Sequence, residues 1–159
     1  MQIRLVAAAL ALGLLACASP SEPDDRWAIP ENIDYAAELQ VDLGSMTLSS
    51  TGLYWKDLEP GAGDTAQVGA NVRVRYTAWL PDATEITTQT VEISPLGFGL
   101  AIRAFDEGIV GMRVGGVRQL VAPPKLAWGR SGNMDFGVPP LTTLIFVVER
   151  LTTIAHAGR

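Results

Sequence analysis

Cysteine and histidine are almost missing from this chain. Among its 159 residues there is one of each, Cys17 and His156. A single cysteine excludes an intramolecular disulfide and a thiolate metal cluster. A single histidine, in the tail Ala155-His-Ala-Gly-Arg159, leaves no His pair at metal-ligand spacing. Ser131 has no base near it in sequence, so a nucleophilic triad would need His156 to fold back from the tail. Gly61-Ala-Gly63 lacks the lysine and helix that would make it a phosphate loop. Basic residues are also scarce, 12 against 17 acidic, for a formal charge of −5 with no basic run. Phosphate neutralisation dominates nucleic-acid affinity, so no nucleic-acid partner is expected. No cofactor is implied either. The apolar run Leu5–Ala16 is only 12 residues long, short of the ~20 needed to span a bilayer.

That run follows the lone charge Arg4 and reads as the hydrophobic region of a secretory signal. Residues 1–16 are therefore set apart from the fold, and removing them leaves 11 basic and 17 acidic residues, a charge of 11 − 17 = −6. Its ending, Leu14-Leu15-Ala16-Cys17, resembles the bacterial lipobox. The resemblance implies a lipid on Cys17 and attachment to the bacterial envelope, facing the periplasm. Ala18, in place of Asp, resembles the pattern for outer-membrane sorting. The alternative is a plain signal peptide that contains a cysteine. Residues 17–50 are expected to be the acylated N-terminus and a tether, since 18–32 are rich in Pro, Ser and acid. Within it, Ile33, Ala37 and Val41 line up for a short helical turn, and Trp27 and Tyr35 are available to dock on the domain.

The domain is expected over residues 51–152, with 153–159 as a tail, and is organised around one stretch. Ile102, Phe105, Ile109 and Met112 recur at helical spacing and predict a short helix with one apolar stripe. Gly115-Gly116 is expected to stop it. Val117–Ala122 then reads as a strand closed by Pro123-Pro124. In Val72–Leu80, Val72, Val74, Tyr76 and Ala78 alternate with Arg73, Arg75 and Thr77, the pattern of an antiparallel sheet with one wet side. Gly52–Leu58, the Thr-rich Thr84–Ser94 and Leu141–Leu151 complete the strand candidates, the last with Leu144, Phe146 and Val148 on one face. A long loop is left over 123–140. The fold class predicted is α+β, a curved antiparallel sheet of five to six strands wrapped around one short helix.

With acid–base and metal sets missing, the candidate site is aromatic and apolar. Tyr76, Ile102, Phe105, Trp128 and Phe146 share a concave surface only if the sheet wraps the helix. Each of them alone reads as core.

Five stretches, Val74-Arg-Tyr-Thr-Ala-Trp-Leu80, Ile102-Arg-Ala-Phe-Asp-Glu-Gly108, Gly111-Met-Arg-Val-Gly-Gly116, Leu126-Ala-Trp-Gly129 and Val138-Pro-Pro-Leu-Thr-Thr-Leu-Ile-Phe-Val-Val-Glu149, are similar in order and spacing to the FKBP-type peptidyl-prolyl isomerase domain. The resemblance spans residues 52–151. It implies a pocket for proline-containing polypeptide segments. Tyr76 matches the pocket tyrosine. Phe105 stands where the family usually has the tryptophan of the pocket floor, and Ile102 matches the residue whose backbone N–H holds a ligand carbonyl. Trp128 replaces a tyrosine that binds another carbonyl through its hydroxyl, and its indole N–H is also a donor. Val138 and Phe146 match wall positions, and Asn133 falls where a loop histidine is common.

The chain departs from the pattern in three places. Ile86-Thr87 stands where the family typically has Phe-Asp. The segment from Thr88 to Phe105 is short and carries Glu92-Ile93-Ser94 in place of a second pocket aromatic. The approach to the helix reads Ile-Arg-Ala-Phe. Two functions follow from the resemblance: an isomerase of X-Pro bonds in exported proteins with reduced activity, or a non-catalytic proline-binding or chaperone module on the same tether. A third, a structural envelope lipoprotein, has no residues that single it out.

Overall fold

The computed structural model describes residues 26–154. Cys17 and His156 lie outside the described residues. Six strands form one sheet: β1 (Thr47–Leu48), β2 (Tyr54–Glu59), β3 (Val72–Trp79), β4 (Glu85–Ile93), β5 (Val117–Ala122) and β6 (Leu144–Thr153). Their order is β1-β2-β5-β6-β3-β4, antiparallel throughout. Among the described residues there is one α-helix, α1 (Arg103–Gly108), between β4 and β5 in sequence. Short 3₁₀ turns occupy Pro30–Asn32, Ala37–Leu39, Leu43–Ser45, Pro124–Leu126 and Met134–Phe136. The six-strand sheet with one short helix is the α+β architecture expected.

The period-two patterns place the side chains. Val72, Val74 and Ala78 of β3 and Leu144, Phe146 and Val148 of β6 are buried in one core with Phe105, Ile109 and Met112. On the other face Arg73 pairs with Glu92 and Arg75 with Glu149.

The helix is shorter than the stripe predicts. Its hydrogen bonding stops after Ile109 N–H donates to Phe105 O at 3.0 Å. Gly111 then takes a left-handed φ of +84° and its N–H goes to Ala66 O at 2.9 Å. The chain leaves the helix here, not at Gly115-Gly116, because residues 64–66 supply better partners: Ala66 N–H donates back to Met112 O at 2.8 Å. The stripe still points inward. Arg118 of β5 locks the exit, donating to the carbonyls of Gly108 at 2.9 Å and Val110 at 3.2 Å while pairing with Asp57. At the same exit, Gly108 sits so close to the sheet that a Cβ would lie 2.7 Å from Leu120.

The expected tether differs from the structure in its described part. From Trp27 onward it is packed. Thr143 N–H donates to Trp27 O at 2.7 Å, and Ala36 N–H to Pro81 O at 2.9 Å. Leu39 and Met46 are buried against Tyr54, Val121 and Ile145 on the outer face of the sheet, and Gln119 Nε2 donates to Leu39 O at 2.7 Å. The sheet therefore has no fully wet side: an apolar patch on its outer face gives these two side chains a place to be buried. Among the described residues, packing against the sheet already includes Trp27, well ahead of Thr51.

Candidate functional site

Three rings from three different elements meet at the concave face. Tyr76 comes from β3, Phe105 from α1 and Phe146 from β6. Their centroids are 4.9 Å (Tyr76–Phe105), 5.1 Å (Phe105–Phe146) and 6.2 Å (Tyr76–Phe146) apart, all edge-to-face. This is the arrangement aromatic quadrupoles favour. Phe105 and Phe146 are nearly closed to solvent, while the Tyr76 ring is part-exposed. Above them lies a cleft of about 280 Å³, bordered also by Ile102, Trp128, Val91, Ile93, Leu100 and Ala101, with Glu92 at its rim.

Of the residues singled out from sequence, Tyr76, Ile102, Phe105, Trp128 and Phe146 are brought together. Trp128 stacks on Phe136 at 5.6 Å and 13°, which extends the apolar wall along the loop. Ile102 is the last extended residue before α1, with ψ 147°. Its own N–H precedes the helical ladder and is not consumed by it.

Val138, Ile86 and Thr87 do not line the cleft. Val138 is buried in the core behind it. Asn133 is occupied elsewhere: it exchanges backbone hydrogen bonds with Val138, and its side chain caps the 3₁₀ turn by accepting from Asp135 N–H at 3.1 Å. Thr87 pairs with Ala78, and the register shifts beyond it, between Ala78 and Trp79, so that Ile86 has no partner of its own. The residue directly opposite Tyr76 is Gln89. Its Oε1 lies 3.5 Å from the Tyr76 hydroxyl.

Gln89, Val91, Ile93, Leu100 and Ala101 were missed by sequence reasoning. For the first three a signal existed: Thr87, Gln89, Val91 and Ile93 alternate along β4 and face the same way as Ala78, Tyr76, Val74 and Val72. Burial raises the pKa of the Tyr76 hydroxyl, so it stays protonated and remains a donor over the working pH range.

A larger hollow, about 430 Å³, lies between Pro30–Glu31 and the turn Pro123–Lys125. It contains none of the three rings. Among the described residues, no group of His, Cys, Asp or Glu is placed to hold a metal, and no helix is long and apolar enough to cross a membrane.

The model of the family described as "FKBP-type peptidyl-prolyl cis-trans isomerase" matches residues 63–151, which carry all three rings. The chain belongs to the FKBP-type peptidyl-prolyl cis-trans isomerases. An FK506-binding protein of Neisseria meningitidis serogroup B is 38% identical over 104 residues, which cover 63% of this chain and 94% of that protein. The isomerase FkpA of Escherichia coli K12 is 36% identical over 120 residues, 74% of this chain but 43% of FkpA. The crystal structure of FkpA superposes with a TM-score of 0.62 at 31% identity, covering 74% of this chain and 55% of that one. That of a peptidyl-prolyl isomerase from Pseudomonas syringae pv. tomato gives 0.62 at 25% identity, covering 75% and 87%. Like other members, this FKBP-type isomerase acts on the bond before proline in a polypeptide.

The geometry suits that chemistry. Rotation about the X-Pro bond is opposed by amide resonance, a barrier of about 18–20 kcal/mol. No proton need be removed and no bond broken. A ring-lined cleft disfavours the charge-separated planar amide more than the twisted one. It therefore binds the transition state better than the ground state.

Proposed function

We propose that this isomerase works on X-Pro bonds of exported polypeptides at a bacterial membrane surface, held there by lipid on Cys17. We further propose that it turns them over more slowly than a relative bearing a carboxylate at position 87. One observation supports the catalytic part above all: Tyr76, Phe105 and Phe146 meet edge-to-face beneath a cleft edged by Ile102 and Trp128. The proline ring seats on this floor. The Tyr76 hydroxyl and the Ile102 N–H face the substrate carbonyls, and Trp128 closes the side. The reduced rate is supported by the groups across from Tyr76. Gln89 and Thr87 are both neutral, so nothing there orients the hydroxyl with a full charge. The membrane part is supported by the sequence of residues 1–18.

Isomerisation of a short proline peptide by the intact protein tests the first part. Wild type should exceed the uncatalysed rate, and Tyr76→Ala should lose roughly tenfold or more. The neutral Gln89–Thr87 pair also favours a second reading, a proline-binding module without turnover. Tight binding of a proline segment at the uncatalysed rate would establish that reading in place of the first. For the anchor, Cys17→Ser should move the protein from the membrane to the soluble fraction, and persistence on the membrane would reject it.

A further inference from the structure

The loop between β4 and α1 exposes two large apolar side chains, Phe98 and Leu100, each 65% accessible. A loose surface loop would need no explanation for this, but this loop is held. Leu96 is fully buried, and its backbone exchanges bonds of 2.9 Å with the Gly69–Ala70 segment. Asp106 then grips the loop with both carboxylate oxygens. Oδ1 accepts from Gly97 N–H at 2.9 Å and Oδ2 from Gly99 N–H at 2.7 Å. Gly97 and Gly99 have φ of +85° and +76°, conformations that glycine alone adopts without cost. Phe98 stands between them. The loop runs straight into the site: Leu100, Ala101 and Ile102 border the cleft, and Asp106 follows Phe105 of its floor.

A pre-ordered loop that keeps apolar side chains in water beside a binding cleft is built for apolar contact, because little further ordering is needed when a partner arrives. We propose that residues 97–100 form an apolar arm of the peptide site. The arm takes a bulky apolar side chain of an extended, unfolded client two or three residues from the proline, and Asp106 acts as its positioning residue. The separation follows from the chain. Leu100 edges the cleft and Phe98 lies two residues beyond it, and an extended client covers about 3.3–3.6 Å per residue. Folded proteins seldom offer a bulky apolar side chain on an extended strand next to a proline, so the clients are polypeptides still unfolded. The inference rests on the prolyl cleft being the peptide site.

The test compares two labelled peptides with the same Leu-Pro centre, one with Phe and one with Ser three positions from the proline, with each flank tried in turn. Both kcat/KM and Kd by fluorescence titration are read on the intact protein. Wild type is expected to favour the Phe peptide by about tenfold, through KM and Kd and not kcat. Phe98→Ser should bring the ratio close to one. Asp106→Ala should lower the ratio with Phe98 still present, whereas Asp106→Glu should restore part of it. Equal values for the two peptides in wild type, or a ratio unchanged in Phe98→Ser, would overturn the arm. If turnover is absent, the Kd ratio still reads the arm, so the failure of catalysis and the failure of this inference remain distinct. Concentration-dependent dimerisation that Phe98→Ser abolishes, without a peptide preference, would make the loop a contact between copies and also overturn it.

Discussion

The hydroxyl of Tyr76 finds Gln89, its partner directly across the β3–β4 ladder, at 3.5 Å, and no carboxylate. Thr87 is the diagonal neighbour, one inward position further along β4. Diagonal positions lie within reach of an aromatic side chain. Thr87→Asp is therefore expected to draw the Tyr76 hydroxyl into a charge-assisted bond and to raise kcat/KM on a short proline peptide by roughly tenfold. Gln89→Ala should change it by less than about threefold, since a 3.5 Å contact is weak. A Gln89→Ala loss as large as that of Tyr76→Ala would show that the glutamine, not the missing acid, governs the site.

Phe105→Ala removes the ring at the centre of the aromatic trio. Phe105 is only 5% exposed, but one of its faces borders the cleft. The cost should fall in the lower part of the range for a buried Phe, about 3–4 kcal/mol by denaturant unfolding. Activity should fall further than any loss of folded protein explains, because the pocket loses its floor. A variant as stable as wild type would place the ring outside the core.

Thr143 is fully buried and its hydroxyl has no hydrogen-bond partner. Its backbone N–H, not its side chain, holds Trp27. Thr143→Val keeps the shape and removes the desolvated hydroxyl. It is expected to stabilise the protein by about 1 kcal/mol, read as a higher urea midpoint with unchanged slope. A destabilisation would mean that a water or an alternative rotamer satisfies the group.

The packed N-terminal segment should give stability a pH dependence. Tyr54 donates its hydroxyl to the Glu31 carboxylate. That bond holds the Glu31 pKa below the usual glutamate range, helped by a backbone hydrogen bond and the nearby Lys125 charge. The contribution is present at neutral pH and is lost as the pH falls through the folded-state value, below the ordinary one. Glu31 is largely solvated, so this acid limb is shallow. Toward high pH the sign reverses. The Tyr54 pKa is raised, by the same bond first and by burial second, and that of Tyr35 by burial. The unfolded chain thus loses these protons first, and stability drops above the ordinary tyrosine range. Urea midpoints across the pH range should show both limbs. In Glu31→Gln the acid limb should flatten. An unchanged acid limb would assign it to other carboxylates.

Much of the fold was legible because its signals are local. The alternation in Val72–Ala78 and Leu144–Val148 and the stripe Ile102–Met112 assign faces through the geometry of a strand or a helix alone, without knowledge of any partner. The exit from α1 was misplaced for the complementary reason. Gly111 and Gly115 are equally able to turn, and the choice was made by Ala66, some 45 residues earlier in the chain. The N-terminal segment was read as a tether because residues 18–32 are rich in Pro, Ser and acid. The burial of Leu39 and Met46 further along depends on the patch Tyr54–Val121–Ile145, which comes from distant parts of the chain.

The sequence by itself determined the main strands, the one short helix, their inward faces and the aromatic character of the site, since these follow from spacing along the chain. Tertiary structure decided which of those side chains meet. The one-residue shift of β4 at Ile86 puts Gln89 rather than Thr88 opposite Tyr76. The seating of α1 against Leu120 brings Phe105 within 4.9 Å of Tyr76. Pairing register and helix seating are set by the sum of many weak contacts between residues distant in sequence, each below thermal energy. No stretch read alone carries that sum.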